Sequence, residues 1–158
     1  MKKKVYIETT VVSYLTARPS ADPVIAGHQE ATRAFWSRRN EFGLFISDLV
    51  LQEAGRGDPD VAKARLDVLV SLPMLDINDE VQVLAKSLIK AKAVPRESQE
   101  DALHIAVATI NGLDCIVTWN FAHINNPFTR MRIRHALEAA GHVAPEMCSP
   151  DELLGGQS

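Results

Sequence analysis

A three-layer α/β fold, with a mostly parallel central sheet of four to five strands flanked by helices, is what this 158-residue sequence predicts. Three observations carry that prediction. Short apolar, β-branched runs alternate along the whole chain with longer helical patterns. A capping residue followed by proline opens a helix at Asp22-Pro23, at Asp58-Pro59 and at Asn126-Pro127. The run CIVT at 115–118 is apolar without alternation, as a strand buried on both faces requires.

Taken in order, VYIE at 5–8 is the first strand, an interior run that ends on the carboxylate of Glu8. The Asp22-Pro23 helix extends to about Arg39, with Val24, Ala31 and Phe35 on one face. Gly43 releases a second strand, LFIS at 44–47, and Ser47 caps the short helix DLVLQEA before GRGDP stops it. The next helix starts at Asp58-Pro59 and turns Val61, Leu66, Leu69 and Val70 inward. MLDI at 74–77 is a short third strand. Asn78, Asp79 and Glu80 then begin a helix to about Lys92, the acids suiting its positive end. Pro95 breaks the chain, and Ser98 caps the most apolar helix, 98–111, closed by Asn111 and Gly112. CIVT is the fourth strand, and the Asn126-Pro127 helix runs to Ala140 with Gly141 as its stop. HVAPEMC supplies a short edge strand, and Ser149, Pro150 and Glu152 form a capping-box start for one last turn.

No repeat, low-complexity tract or long linker divides the chain, so one domain over 1–158 is expected. An apolar fraction of 46% and a charged fraction of 23% are those of a globular protein and exclude a disordered or fibrous one. The net charge of −3 provides no global basic field, so nucleic-acid binding requires a local patch. Lys2, Lys3 and Lys4 look like the start of an export signal, but Glu8 interrupts the apolar run behind them, and no apolar segment is long enough to span a membrane. Cys115 and Cys148 have no CxxC or His/Cys ligand spacing, which argues against a zinc site or a disulfide framework. The expected address is the reducing cytoplasm, away from membranes.

In folds of this class the ligand crevice lies beyond the carboxyl ends of the strands, where the strand order reverses. Glu8 follows the first strand, and Glu53 lies about one and a half turns after Ser47. Asp101 stands in the first turn of the helix before the fourth strand, and Asn120 just follows that strand. Singly, each has an ordinary explanation: Glu53 as a solvated helix residue, Asp101 as an acid favoured by a helix dipole. Together they converge above one sheet edge, with no lysine or arginine at a matching strand-end position. Carboxylates gathered this way repel, and a hard divalent cation, Mg²⁺ or Mn²⁺, is the usual remedy. Asn120 adds no charge, and its amide is expected to orient a water or a substrate oxygen. The chemistry this constellation supports is metal-assisted hydrolysis of a phosphodiester.

Four stretches, YIETT, ISDLVLQE, EDALHIAVA and IVTWNFAHI, stand in the order of a known family. The chain resembles the PIN-domain nucleases and, among them, the VapC-like toxins of bacterial type II toxin–antitoxin modules. That resemblance covers nearly the whole chain and implies a PIN-like fold. It implies a Mg²⁺- or Mn²⁺-dependent endoribonuclease leaving a 3′-hydroxyl and a 5′-phosphate, a homodimer, and a cognate antitoxin whose C-terminal segment reaches into the site. By position, Glu8, Glu53 and Asp101 match the metal-binding acids and Asn120 the fourth site residue, with Thr9, Thr10 and Thr118 at the hydroxyl positions beside them. Glu8 departs from the pattern, since aspartate is usual there; its extra methylene shifts the metal or weakens the site.

Other residues read more plainly. Arg130 and Arg134, at i,i+4 with His123 and Arg132 nearby, are candidates to hold an RNA backbone or else line a solvated helix face. Trp119 and Phe121 flank Asn120 and serve either base stacking or core packing. His104 reads as a hydrogen-bonded interior histidine rather than a catalytic base. Arg33, Arg38 and Arg39 solvate their helix or, with Trp36, border a dimer or antitoxin surface. The alternative to a nuclease is a non-catalytic PIN-like module that binds RNA or a protein. A phosphoacceptor domain is disfavoured, because CIVTWN offers neither a strand-end aspartate nor a lysine.

Overall fold

The computed structural model describes residues 1–155. Five strands form one parallel sheet in the order β3-β2-β1-β4-β5: β1 (Lys4–Ile7), β2 (Gly43–Ser47), β3 (Met74–Leu75), β4 (Cys115–Val117) and β5 (Glu146–Cys148). Tyr6 is in register with Phe45 on one side and Ile116 on the other, and Val117 with Cys148. Val5, Tyr6 and Ile7 are therefore completely buried, which is why the central strand is an unbroken apolar run. Strand order reverses between β1 and β4, so the switch point lies where Glu8 and Thr118 leave the sheet.

Helices cover the sheet: α1 (Thr9–Thr16), α2 (Pro23–Ser37), α3 (Asp48–Ala54), α4 (Pro59–Leu69), α5 (Asp79–Lys90), α6 (Gln99–Ile110), α7 (Pro127–Ala139) and α8 (Pro150–Gly155). Asp22, Asp58, Asn78 and Asn126 each accept hydrogen bonds from the backbone N–H groups of the helix they open, as their position before Pro or an acid-rich turn anticipates. Ser149 and Glu152 close a capping box, the Ser149 N–H donating to Glu152 Oε1 at 3.0 Å. The α6 helix, with Ala102 and Ile105 to Ala108 all buried, is the apolar centre beneath β1 and β4. Among the described residues no helix is long and apolar enough to cross a membrane.

The differences from expectation have local causes. The sequence reading has no helix at TTVVSYLT, whose β-branched residues favour extended structure. It is α1, because Glu8 caps it through Thr10 N and the burial of Val11 and Val12 outweighs propensity. Val24, Val61 and Val70 face solvent at 67%, 48% and 83% exposure rather than the core. The first two stand in the opening turns of α2 and α4, and Val70 follows the end of α4; Thr32, Phe35, Ala62 and Leu69 take the buried faces. Only the first two residues of MLDI pair as a strand, because β2 ends at Ser47 opposite Leu75.

Candidate active site

At the end of β1 the chain turns on Glu8, which is nearly buried. Its backbone N–H donates to Val117 O at 3.1 Å, tying the two switch-point strands together. The longer glutamate arm folds back over α1. Its carboxylate accepts from Thr10 N at 3.1 Å, from the Thr10 hydroxyl, and from Thr118 Oγ1 at 2.5 Å. Thr10 and Thr118 also accept, from Trp119 N and Asn120 N respectively, so the β4 exit loop is fastened to the same carboxylate.

On α3, Glu53 Oε1 accepts from Thr9 Oγ1 at 2.5 Å and lies 2.6 Å from His104 Nε2. His104, fully buried on α6, holds the hydroxyl of Tyr6 with its other nitrogen at 2.6 Å, and that hydroxyl also meets Ser47 Oγ at 2.7 Å. Ser47, Tyr6, His104 and Glu53 thus form one hydrogen-bonded chain from the β2 end to the cleft. Burial alone would push His104 toward the neutral form, but the Glu53 hydrogen bond and the charges of Glu8, Glu53 and Asp101 outweigh it and raise its pKa above 6.5. Burial would likewise raise Glu53, yet the bonds from His104 and Thr9 hold it below 4.5. Burial, chiefly, raises the Tyr6 phenol well above 10.0, so it remains a hydroxyl.

The acids therefore do have a basic partner, which corrects the sequence expectation. It is an interior histidine three residues after Asp101, not a lysine or arginine at a strand end. The i,i+3 spacing of Asp101 and His104 on one helix was the available signal. As read from the sequence, His104 is a hydrogen-bonded interior histidine.

Asp101 stands slightly apart. One ligand atom each from Glu8, Glu53 and His104 lie within 4.8 Å of one another, and Asp101 is not part of that group. It accepts from Asn120 Nδ2 at 3.1 Å and pairs with His123 Nδ1 at 3.0 Å. Asn120 Oδ1 in turn accepts from His123 N, so both ends of its amide are engaged within the protein. It braces Asp101 here, whereas the sequence reading has it addressing a water or substrate. Asp101, Glu53 and His123 line a cleft of about 470 Å³, together with Glu97 and Glu100. Arg56 neutralises Glu100 across a 3.0 Å ion pair.

The donor chemistry tests whether a cation fits. Carboxylate oxygens are the hard ligands that Mg²⁺ and Mn²⁺ take. His104 has both ring nitrogens committed, to Tyr6 and to Glu53, and so supports Glu53 rather than replacing an oxygen ligand. The residues fit an oxygen-bound cation between Glu8 and Glu53.

Arg130 and Arg134 do not join this group. Arg134 pairs with Glu146 at 3.1 Å, and Arg130 holds Asn125 Oδ1 at 2.6 Å and approaches Glu152 at 3.9 Å. Trp119 is core, stacked on His28 at 4.1 Å, whereas Phe121 is 44% exposed.

No protein-family model matches the sequence, and no curated protein matches it. Solved structures do. Mycobacterium tuberculosis VapC20, a Sarcin-Ricin loop cleaving toxin, superposes with a TM-score of 0.56 at 17% identity, over 88% of this chain and 96% of that one. VapBC2 from Rickettsia felis, solved bound to a DNA fragment from its promoter, gives 0.58 at 16% identity over 91% and 98%. VapBC-1 from nontypeable Haemophilus influenzae gives 0.58 at 12% identity over 93% and 98%. The fold is that of the VapC toxins. At these identities the likeness establishes the PIN-like architecture, over nearly the full length of both chains, and the strand-end acids occupy its switch point.

Proposed function

We propose that the chain is a divalent-metal-dependent endoribonuclease, the toxin of a toxin–antitoxin pair. The observation that carries this reading is the convergence of Glu8 and Glu53 at the switch point, with Asp101 on the same cleft, in the fold of VapC toxins. Glu8 and Glu53 would hold Mg²⁺ or Mn²⁺, and Asp101 faces the space beside them. Such a cation, when bound, supplies Lewis-acid charge for a phosphodiester and a water of lowered pKa.

The chain's own residues set the stage for that chemistry. Thr9 donates to Glu53, and Thr10 and Thr118 donate to Glu8, fixing the rotamers of both acids. Tyr6 and Ser47 orient His104, which in turn holds Glu53. Asn120 and His123 hold the two oxygens of Asp101, aligning it toward the cleft.

Cleavage of single-stranded RNA by the purified protein, free of contaminating ribonuclease, tests the reading. Activity should be abolished by EDTA, return with Mg²⁺ or Mn²⁺ but not equally with Ca²⁺, and be lost in Asp101→Asn with the fold intact. Full cleavage by Asp101→Asn would remove that residue from the site. RNA binding without metal-dependent cutting would establish the alternative, a non-catalytic module, which the capping bonds of Glu8 favour. The VapBC structures are toxin–antitoxin pairs by name, and we propose a cognate antitoxin as partner here, with a homodimer and a cytoplasmic setting. Light scattering and co-expression with the product of an adjoining reading frame check the assembly.

A further inference from the structure

The net charge of −3 leaves nucleic-acid binding to a local patch, and Arg130 and Arg134 are turned toward Glu152 and Glu146. Another surface meets the requirement. Two adjoining hollows of about 440 and 480 Å³ share Ile89 and Arg96. Their charged lining comprises Lys86, Lys90, Lys92, Arg96 and Arg132, with no aspartate or glutamate. All five are exposed, and among the described residues none takes part in an ion pair.

The strip adjoins the acidic cleft at two points. His123 lines both the first hollow and the cleft, and Gln99 lines both the second hollow and the cleft. The dipole of α5 accounts for cations near its C-terminus, Lys90 and Lys92. It does not account for Arg96 in the next loop or Arg132 on α7. Lys92 moreover occupies the left-handed region, φ 61°, where glycine is the usual residue after a helix. Lysine there puts a cationic residue in the lining of the hollow against a backbone preference.

We propose that this strip binds the sugar–phosphate backbone of a single-stranded RNA and leads it past His123 to the acids. The identity of the strand rests on the nuclease function above. Exposed cations free of ion pairs neutralise phosphates and release their counterions, and the nuclease function above selects RNA over an acidic polypeptide as the polyanion they meet. Ile89, partly buried in the lining of both hollows, offers apolar contact to sugar faces.

The test is binding of a fluorescent oligoribonucleotide of about 20 nucleotides, in EDTA, across about 50–200 mM salt. The variant Lys90→Gln/Arg96→Gln/Arg132→Gln should bind at least about tenfold more weakly at the low-salt end. Its slope of log affinity against log salt should be shallower by about 2, or about 0.7 per cation removed. The control Lys2→Gln/Lys3→Gln/Lys63→Gln, with the same charge removed elsewhere, should keep affinity and slope. Should the triple variant fail to fold, Arg96→Gln and Arg132→Gln singly should each lower the slope by about 0.7. Wild-type affinity and slope in the strip variants, with RNA still cut by wild type, would overturn the strip alone. Loss of polyglutamate binding with RNA binding unchanged would overturn it in favour of an acidic polypeptide. If wild type neither binds nor cuts RNA, the nuclease reading fails and this assignment falls with it.

Discussion

Replacing Glu53 with glutamine separates charge repulsion from charge pairing in the metal-free site. Relief of repulsion among Glu53, Glu8 and Asp101, taken alone, would stabilise the protein. His104 reverses that sign. Glu53 Oε1 lies 2.6 Å from the buried imidazole and 2.5 Å from Thr9 Oγ1, and its pKa is held below 4.5. A lowered folded-state pKa means that folding favours the charged form. The charge therefore contributes stability above the unfolded-state pKa, and the contribution disappears as pH falls through the folded-state value. Glutamine keeps an acceptor oxygen but loses the charge assistance, roughly the difference between hydrogen bonds to charged and to neutral groups, about 1 kcal/mol. For a domain of this size that lowers Tm by about 2–4 °C. Thermal melts in EDTA at about pH 7 should show the loss, and the gap between the proteins should close as pH drops below the lowered folded-state pKa. With Mg²⁺ added, only wild type should gain further stability, rising with the logarithm of the Mg²⁺ concentration above its Kd. A Glu53→Gln protein that melts higher than wild type at about pH 7 would refute the pairing of Glu53 with His104.

Two further substitutions bear on the same site. Tyr6→Phe deletes the hydroxyl between Ser47 and His104, leaving two buried groups short of a partner; denaturant melts should show a loss of about 1–3 kcal/mol. At Glu8, aspartate should keep substantial cleavage and the α1 cap, whereas glutamine should lose most cleavage, measured with Mg²⁺ titrated; equal rates for wild type and Glu8→Gln would exclude a ligand role.

Part of the site is local in origin and was legible. Glu8 and Asn120 follow from where β1 and β4 end, because the turn after a parallel strand places its first residues at one edge of the sheet. Glu53 and Asp101 follow from their places on the helices α3 and α6. Of the threonines, Thr10 is a neighbour in sequence of the Glu8 it holds, whereas Thr9 and Thr118 donate to Glu53 and Glu8 across 44 and 110 residues. The α1 helix was not legible, since Thr9, Thr10, Val11 and Val12 prefer extended structure, and only their burial against the core overrules that preference.

The sequence by itself determined the α/β alternation, the strand order in the chain, the capped helix starts and the acids at the strand ends, because each is written in periodicity or in residues adjacent along the chain. Tertiary structure alone decided which groups those acids meet. His104 reaches Glu53 from 51 residues away and Tyr6 from 98, and Thr118 reaches Glu8 across 110. It also turned Arg130 and Arg134 toward acids and gathered Lys86, Lys90, Lys92, Arg96 and Arg132 into one strip. Charge pairing depends on distance in space, and spacing along the chain reports that distance only within a helix turn or a strand.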